Sequence, residues 1–404
     1  MNVFRMAWRN VWRNRRRTLV TVSAMALALF VMIQYAGLAE GFFAGMERNI
    51  LELETGDLQI FAPGFRDKPS LYTRMDDPEP FLRDLEQAGY RAAARLIAGG
   101  LAAGNETSAG ATLLGVDIAR DARVSRIHEE IHQGAWLDPG DPGGAVLGRR
   151  LAHTLGVGPG DEIVVLTQGA DGSLANELYR VRGVLKNVGD RVDRTGVFLP
   201  ADTFRELLVL PAGVHQIIVR RPADTGLAPA ADEVRTLAGG LDVQSWKQLL
   251  PTLASMLEST QAVMYTMFLI FYMAVGILVL NAMLMAVFER IREFGVLKAL
   301  GVGPGGVLSM ILVEVAIQTG LALLAGGLLS IPAGWYLSVK GIDMSRLGGI
   351  AISGIAWDPV WRSVIRPETL LGPVLTLLGV VLLAVLYPAL KAAMIQPMDA
   401  IHHR

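Results

Sequence analysis

Cysteine is absent from all 404 residues. Its absence excludes disulfides, thiolate metal sites, a cysteine nucleophile and a lipid-anchoring cysteine on this chain. It does not fix the redox compartment, because an external domain can do without bridges. Histidine is scarce, at six residues, and neither charge is in excess: 37 Lys and Arg face 38 Asp and Glu, for a net charge of -1. That balance argues against a general polyanion-binding surface, and nothing points to a nucleic-acid partner. No G-x-x-x-x-G-K-[ST] phosphate loop occurs. The run Gly301-Val302-Gly303-Pro304-Gly305-Gly306 is glycine-rich but lacks the lysine and leads into an apolar stretch, so it reads as a helix start.

What the chain does have is apolar length. Hydrophobic residues make up 52%, mean hydropathy is +0.39, and charged residues concentrate outside four stretches. Residues 19–40, 261–288, 306–337 and 369–389 can each cross a hydrocarbon core of about 30 Å, which takes about 20 helical residues. Lipid offers no water to backbone groups, so each stretch must be helical. The pattern predicts an α+β membrane protein. Four transmembrane helices are expected, with residues 41–260 forming a large extracytoplasmic mixed α/β domain between the first two.

Basic residues set the orientation. Arg5, Arg9, Arg13, Arg15, Arg16 and Arg17 precede the first span with no acidic residue among them, and Lys391, His402, His403 and Arg404 follow the last. The positive-inside rule places segments 1–18 and 390–404, hence both termini, in the cytoplasm, and an even span count agrees. Residues 289–305 then also face the cytoplasm, and the loop 338–368 lies outside. A cleaved signal peptide is the alternative for the start, but the apolar stretch exceeds the usual core of about 7–15 residues. An uncleaved anchor is expected.

Within the external segment, strands are expected over 56–61, 110–117, 162–167, 177–185, 196–199 and 216–220, and Val146-Leu147 leads into Gly148 ahead of a short helix. Helices are expected over 80–98, 149–155, 201–209 and 228–238. From Ser245 and Trp246 the pattern turns helical and runs on into the second span as a stalk. Between the second and third spans lies Glu289-Arg290-Ile291-Arg292-Glu293-Phe294-Gly295-Val296-Leu297-Lys298-Ala299-Leu300-Gly301, a dense mixed-charge run. On a helix Ile291, Phe294, Leu297 and Leu300 form one apolar stripe, with Arg290 and Glu293 close enough to pair. Such a helix suits docking into a groove on another protein; the alternative is a solvated loop whose charges only fix topology.

Two features inside the spans stand out. Ala322, Gly326, Ser330 and Gly334 repeat every four residues, a small-residue seam that packs either against another span of this chain or across a dimer. Glu314 is a carboxylate in a span, which marks either function or a structural pairing with an arginine of the 289–301 run. A different chemistry is suggested by His128-Glu129-Glu130-Ile131-His132, which satisfies the zinc-hydrolase pattern H-E-x-x-H. His153 and Glu162 are the candidate third ligands, but Gly134 leaves little room for a helix. A plain exposed turn is the expectation, with no metal held by this chain.

Three stretches together carry a resemblance. The run from Glu289 to Gly301 is similar to a coupling-helix signature, E-R-x-R-E-hydrophobic-G-x-hydrophobic-[KR]-A-hydrophobic-G. Leu147-Gly148-Arg149-Arg150-Leu151-Ala152, Leu155-Gly156-Val157 and Gly160-Asp161-Glu162-Ile163 resemble a MacB-like periplasmic core. Tyr387-Pro388-Ala389, Ala392-Ala393 and Gln396-Pro397-Met398-Asp399-Ala400 resemble the tail of the same family. The family is the FtsX-like permeases of MacB type, membrane subunits of ATP-binding-cassette (ABC) systems of the bacterial inner membrane.

The resemblance implies that Glu289, Arg290, Arg292, Glu293, Phe294, Gly295, Leu297, Lys298 and Gly301 couple the chain to a separate ATPase. Phe294 and Leu297 would lie in its groove, with Arg290, Glu293 and Lys298 at the rim. ATP and Mg²⁺ would sit in that partner, with no cofactor and no catalysis on this chain. The expected assembly is two ATPase subunits, a second permease copy or paralogue, and a periplasmic carrier or adaptor. Chain length and span count look like the lipoprotein-releasing permeases of the LolC and LolE group. The alternatives are a MacB-like mechanotransmission pump and an FtsX-like scaffold that regulates a cell-wall hydrolase.

Overall fold

The computed structural model describes residues 3–343, save 106 and 187, and residues 360–394. The tail motif from Gln396 to Ala400, with His402, His403 and Arg404, lies outside the described residues, as does most of the loop 338–368. Two compact units are present: one holds the segments up to Phe43, from Leu257 onward and from Val360 onward, and the other is Ala44–Met256.

The chain starts with α1 (Val3–Arg13), a helix where the sequence suggested only a basic segment, and turns at Asn14 into α2 (Arg15–Asn49). A π-helical turn, Ile50–Thr55, ends at Gly56, whose φ of 66° suits glycine and lets the chain reverse into the β-rich unit.

That unit is built in chain order from β1 (Leu58–Phe61), α3 (Glu79–Gln87), β2 (Arg91–Ala103), β3 (Ser108–Val116), α4 (Ile118–Val124), β4 (Ile131–Gly134) and β5 (Gly144–Leu147). It continues with α5 (Arg149–Leu155), β6 (Glu162–Gln168), β7 (Leu174–Leu185), α6 (Asp190–Thr195), β8 (Gly196–Pro200), α7 (Ala201–Leu207), β9 (Gln216–Arg220), α8 (Leu227–Leu237), β10 (Asp242–Ser245) and α9 (Trp246–Leu249). All ten strands join one sheet. The strand β2 organises it. Its first half pairs with β9 and its far end with β6, while β3 runs along its other edge. From there the pairings β3–β8, β8–β5, β5–β7, β7–β6 and β6–β2 close into a ring, which leaves those strands few open edges. Beyond β9, β1 and β10 extend the sheet as an antiparallel flank.

One expected helix is corrected. Helical spacing over 80–98 ends at Gln87, because Gly89 takes φ 87° and turns the chain, and residues 91–98 are strand. The alanines there, Ala92 and Ala93, are both buried and pair with Val219 and Ile218 of β9, and from Arg95 onward β3 lies on the other edge, so sheet pairing overrides helix propensity. The expected unbroken stalk is corrected too. Ser245 closes β10 and caps α9, but Leu250 leaves helical geometry (φ -125°, ψ 62°) before Pro251, and the next helix starts afresh.

Among the described residues, four helices are long and apolar enough to cross a membrane: α2, α10 (Pro251–Glu289), α12 (Pro304–Val339) and α13 (Pro367–Met394). Between α10 and α12 lies α11 (Ile291–Ala299), and between α12 and α13 a two-residue ladder joins β11 (Ile342–Asp343) to β12 (Val360–Trp361). The unit's core takes one face of each long helix: Met25, Leu29 and Met32; Tyr272, Val279 and Met283; Met310, Ile311 and Val315; Leu377, Val381 and Val385. Their other faces leave Ile270, Phe271, Leu328, Ile331, Leu375 and Leu383 exposed, an apolar belt far beyond what a water-facing surface carries. Ala322, Gly326, Ser330 and Gly334 are all buried. The seam faces α2 of the same chain: a Cβ on Gly326 would stand 2.7 Å from Ala26 O, and Gln34 Nε2 donates to Ser330 O at 3.3 Å. Only glycine permits that approach.

In the β-rich unit, Arg95 of β2 and Asp121 of α4 form a two-pronged pair, Nε–Oδ1 2.7 Å and Nη2–Oδ2 3.1 Å, with both residues at most 5% exposed. Asp121→Ala is expected to strand the guanidinium and cost about 3–5 kcal/mol, whereas Arg95→Met with Asp121→Leu regains most of it. Thermal unfolding of the purified full chain checks both; equal losses in single and double variants would contradict the pairing.

Candidate functional site

The mixed-charge run forms a short helix held between two breaks. Arg290 departs from helical geometry (φ -112°, ψ 10°) and separates α10 from α11. At the far end Gly301 takes φ 94°, and Gly303-Pro304 restarts the chain as α12, with proline in the first turn, where its missing N–H costs nothing.

Ion pairs tie α11 to its neighbours. Arg290 Nη1 donates to Glu314 Oε2 of α12 at 2.9 Å, and its Nε reaches Glu293 Oε2 at 3.2 Å. Glu293 Oε1 also meets Arg13 Nη1 of α1 at 2.7 Å, and Arg17 Nη1 of α2 meets Glu289 Oε2 at 2.8 Å. Lys298 Nζ donates to the Ala393 carbonyl of α13. The Arg290 guanidinium lies 5.4 Å from the Phe294 ring centre. Burial alone would raise the Glu293 carboxyl, but Arg13 and Arg290 outweigh it and hold it below the ordinary carboxylate range. Burial pushes the Lys298 ammonium down.

These contacts turn the apolar stripe inward. Ile291 and Phe294 are buried, Phe294 at 2% exposure among Met283, Val287, Val307 and their neighbours, and Leu297 packs partly against the same cluster. For Phe294 and Arg290 the expected placement in a partner's groove and at its rim is therefore corrected: both are buried in this chain's own core, with Leu297 partly covered, while Leu300, the last residue of the expected stripe, stays exposed. The outward face is Arg292, Val296, Ala299 and Leu300, at a spacing of four, seven and eight. Val296 is 51% and Leu300 77% exposed. Sequence reasoning missed that Val296 faces outward and missed Arg13 and Arg17 as ion-pair partners of Glu293 and Glu289. The spacing 292, 296, 300 is as regular as the other stripe, so periodicity alone could not choose between them.

The other sequence motifs fall in the β-rich unit. Gly148 ends β5 where a Cβ would collide with Val192 O, and Arg150 follows it onto α5. There Arg150 Nη1 and Arg194 Nε share Asp190 Oδ1 at 2.7 and 2.9 Å, on the rim of a cleft of about 1120 Å³ floored by the buried amides of Gln59 and Gln216. His128 lies on a 3₁₀ turn and His132 on β4, so no helix turn presents both imidazoles on one face. Glu129 is bound to Arg126 and Glu130 to Lys186. Among the described residues no group of three or more His, Asp or Glu is placed to hold a metal.

Comparison with known proteins agrees with this layout. A profile of the MacB-like periplasmic core domain matches residues 18–237, and one of the FtsX-like permease C-terminal domain matches residues 265–397. An uncharacterized ABC transporter permease of Methanocaldococcus jannaschii is 26% identical, over 57% of each chain, so this chain spans just over half of that relative. The lipoprotein-releasing system transmembrane protein LolC of Neisseria meningitidis is 23% identical over 96% of this chain and 94% of its own. Among solved structures, the periplasmic region of MacB from Actinobacillus actinomycetemcomitans is 15% identical, with a TM-score of 0.36, covering 49% of this chain and 92% of that one. With more than half its length matched by one profile and most of the remainder by the other, the chain belongs to the ABC transporter permeases that join a MacB-like periplasmic core domain to an FtsX-like permease domain.

Proposed function

We propose that this chain is the non-catalytic membrane subunit of an inner-membrane ABC transporter, driven through α11 by a separate cytoplasmic ATPase that carries the ATP and Mg²⁺. The observation that carries this reading is the two-sidedness of α11. Its inner side is tied to α1 through Glu293, to α12 through Arg290 at its start and to α13 through Lys298, while its outer side leaves Val296 and Leu300 exposed. A push on the outer side is then delivered to several helices at once. Paired permeases and paired ATPases complete the assembly, with termini and α11 on the cytoplasmic side, as the basic flanks of the spans suggest.

For the cargo, release of lipid-modified proteins from the membrane to a periplasmic carrier is the favoured role. The LolC likeness supports it, because it runs over nearly the full length of both chains. A MacB-like pump acting through an adaptor would use the same coupling.

Val296→Asp with Leu300→Asp is expected to weaken ATPase co-purification about tenfold or more, by removing two apolar anchors, while leaving the melting curve of the permease unchanged. Phe294→Ala is expected to do the reverse in order: it empties a core site at a cost of about 3–5 kcal/mol, and coupling falls with stability. Retained ATPase binding in the double Asp variant would refute the assignment of the outer face. Depletion of the chain is expected to leave outer-membrane lipoproteins in the inner membrane, read by membrane fractionation. Normal sorting, with loss of adaptor-dependent export instead, would overturn the lipoprotein role and leave the coupling helix standing.

A further inference from the structure

The helix α1 carries two stripes side by side. At about 100° of rotation per residue, Ala7, Val11, Phe4, Trp8 and Trp12 form one continuous apolar arc, and Arg5, Arg9 and Arg13 follow on its flank. The membrane unit covers only half of that arc. Ala7 and Val11 are fully buried, whereas Phe4, Trp8 and Trp12 are 61%, 43% and 46% exposed, the two indoles edge to face at 6.0 Å. The orientation is pinned. Thr18 Oγ1 donates to Val11 O at 2.7 Å across the turn at Asn14, and Arg13 is held by Glu293. Past the turn the uncovered surface runs on into Leu19 and Val20 of the first span, 67% and 57% exposed. Arg5 and Arg9 are exposed, and the first acidic residue of the chain is Glu40.

Three large aromatics left open beside unpaired arginines, continuous with the apolar face of a spanning helix, match the chemistry of a membrane–water boundary. Indole rings favour headgroup depth, and guanidinium groups donate to phosphate oxygens. We propose that α1 is a membrane-surface helix that binds anionic phospholipids, with Phe4, Trp8 and Trp12 sunk among the headgroups and Arg5 and Arg9 on their phosphates. Charge complementarity and continuity with the bilayer-facing Leu19 and Val20 select the lipid surface over an acidic protein.

Because the chain has no cysteine, Trp8→Cys and Ala299→Cys each give a single labelling site for a fluorescent bimane probe on the full chain in nanodiscs. The probe at position 8 is expected to be quenched by lipids spin-labelled near the headgroup, and the probe at 299 by aqueous iodide. Position 8 quenched by iodide as strongly as 299, or shielded from both quenchers, would overturn the proposal, the second result assigning the face to a protein. On the unsubstituted chain, spin-labelled phosphatidylglycerol should be favoured severalfold over phosphatidylcholine, since each basic residue near an anionic surface adds attraction, and Arg5→Gln with Arg9→Gln should bring the ratio close to one. Equal association of both lipids with the unsubstituted chain would also overturn it.

Discussion

The ion pair between Arg290 and Glu314 sets the geometry of the membrane unit. Glu314, the one charged residue of α12, is 3% exposed, a place where an unpaired carboxylate costs several kcal/mol. Its partner has to come from outside the span, because α12 supplies no cation near it. Arg290 stands at the break between α10 and α11, so satisfying Glu314 draws the start of α11 onto α12 at 2.9 Å. Once that end is fixed, the rotation of α11 follows: Ile291 and Phe294 must face the core, and Arg292, Val296 and Leu300 must face away. Glu293 then meets both Arg290 and Arg13, which brings α1 into the same network.

The two units resist deformation by different means. In the β-rich unit, a ring of strand pairings passes through β2, so shifting one strand disturbs register all round. The buried Arg95–Asp121 pair locks α4 to that same strand. In the membrane unit, the ladder pairing among the described residues is confined to the two residues each of β11 and β12. Close approach at Gly326 and Ser330, the Tyr272 hydroxyl on Pro373 O at 2.8 Å, and the charges at α11 do the fixing. Packing of this kind lets helices slide or tilt as bodies while keeping their own hydrogen bonds.

Much of this was legible in the chain. Four spans follow from length and hydropathy alone, the strand at Glu162–Gln168 announces itself by alternation after a turn, and that at Gln216–Arg220 by a short β-branched run. The residues of α11 were legible as a set, because charge and apolar positions alternate at helical spacing. Which stripe points inward was not. That choice depends on Glu314, more than twenty residues away, pairing with Arg290. The strand at Ala92 and Ala93 was hidden for a related reason: alanine favours helix locally, and only the pairing with β9, far along the chain, makes it strand.

The arginines before the first span illustrate the same limit from another side. As charges they fix topology, and that use exhausts what a count of basic residues can say. As members of a helix they acquire directions: Arg13 and Arg17 reach the carboxylates around α11, and Arg5 and Arg9 flank the aromatic stripe. One basic segment thus does two separate jobs, set by helical phase rather than by charge. The phase itself is set by Ala7 and Val11, the two smallest apolar side chains on the arc, which let α1 lie close against the membrane unit and leave the bulky Phe4, Trp8 and Trp12 outside.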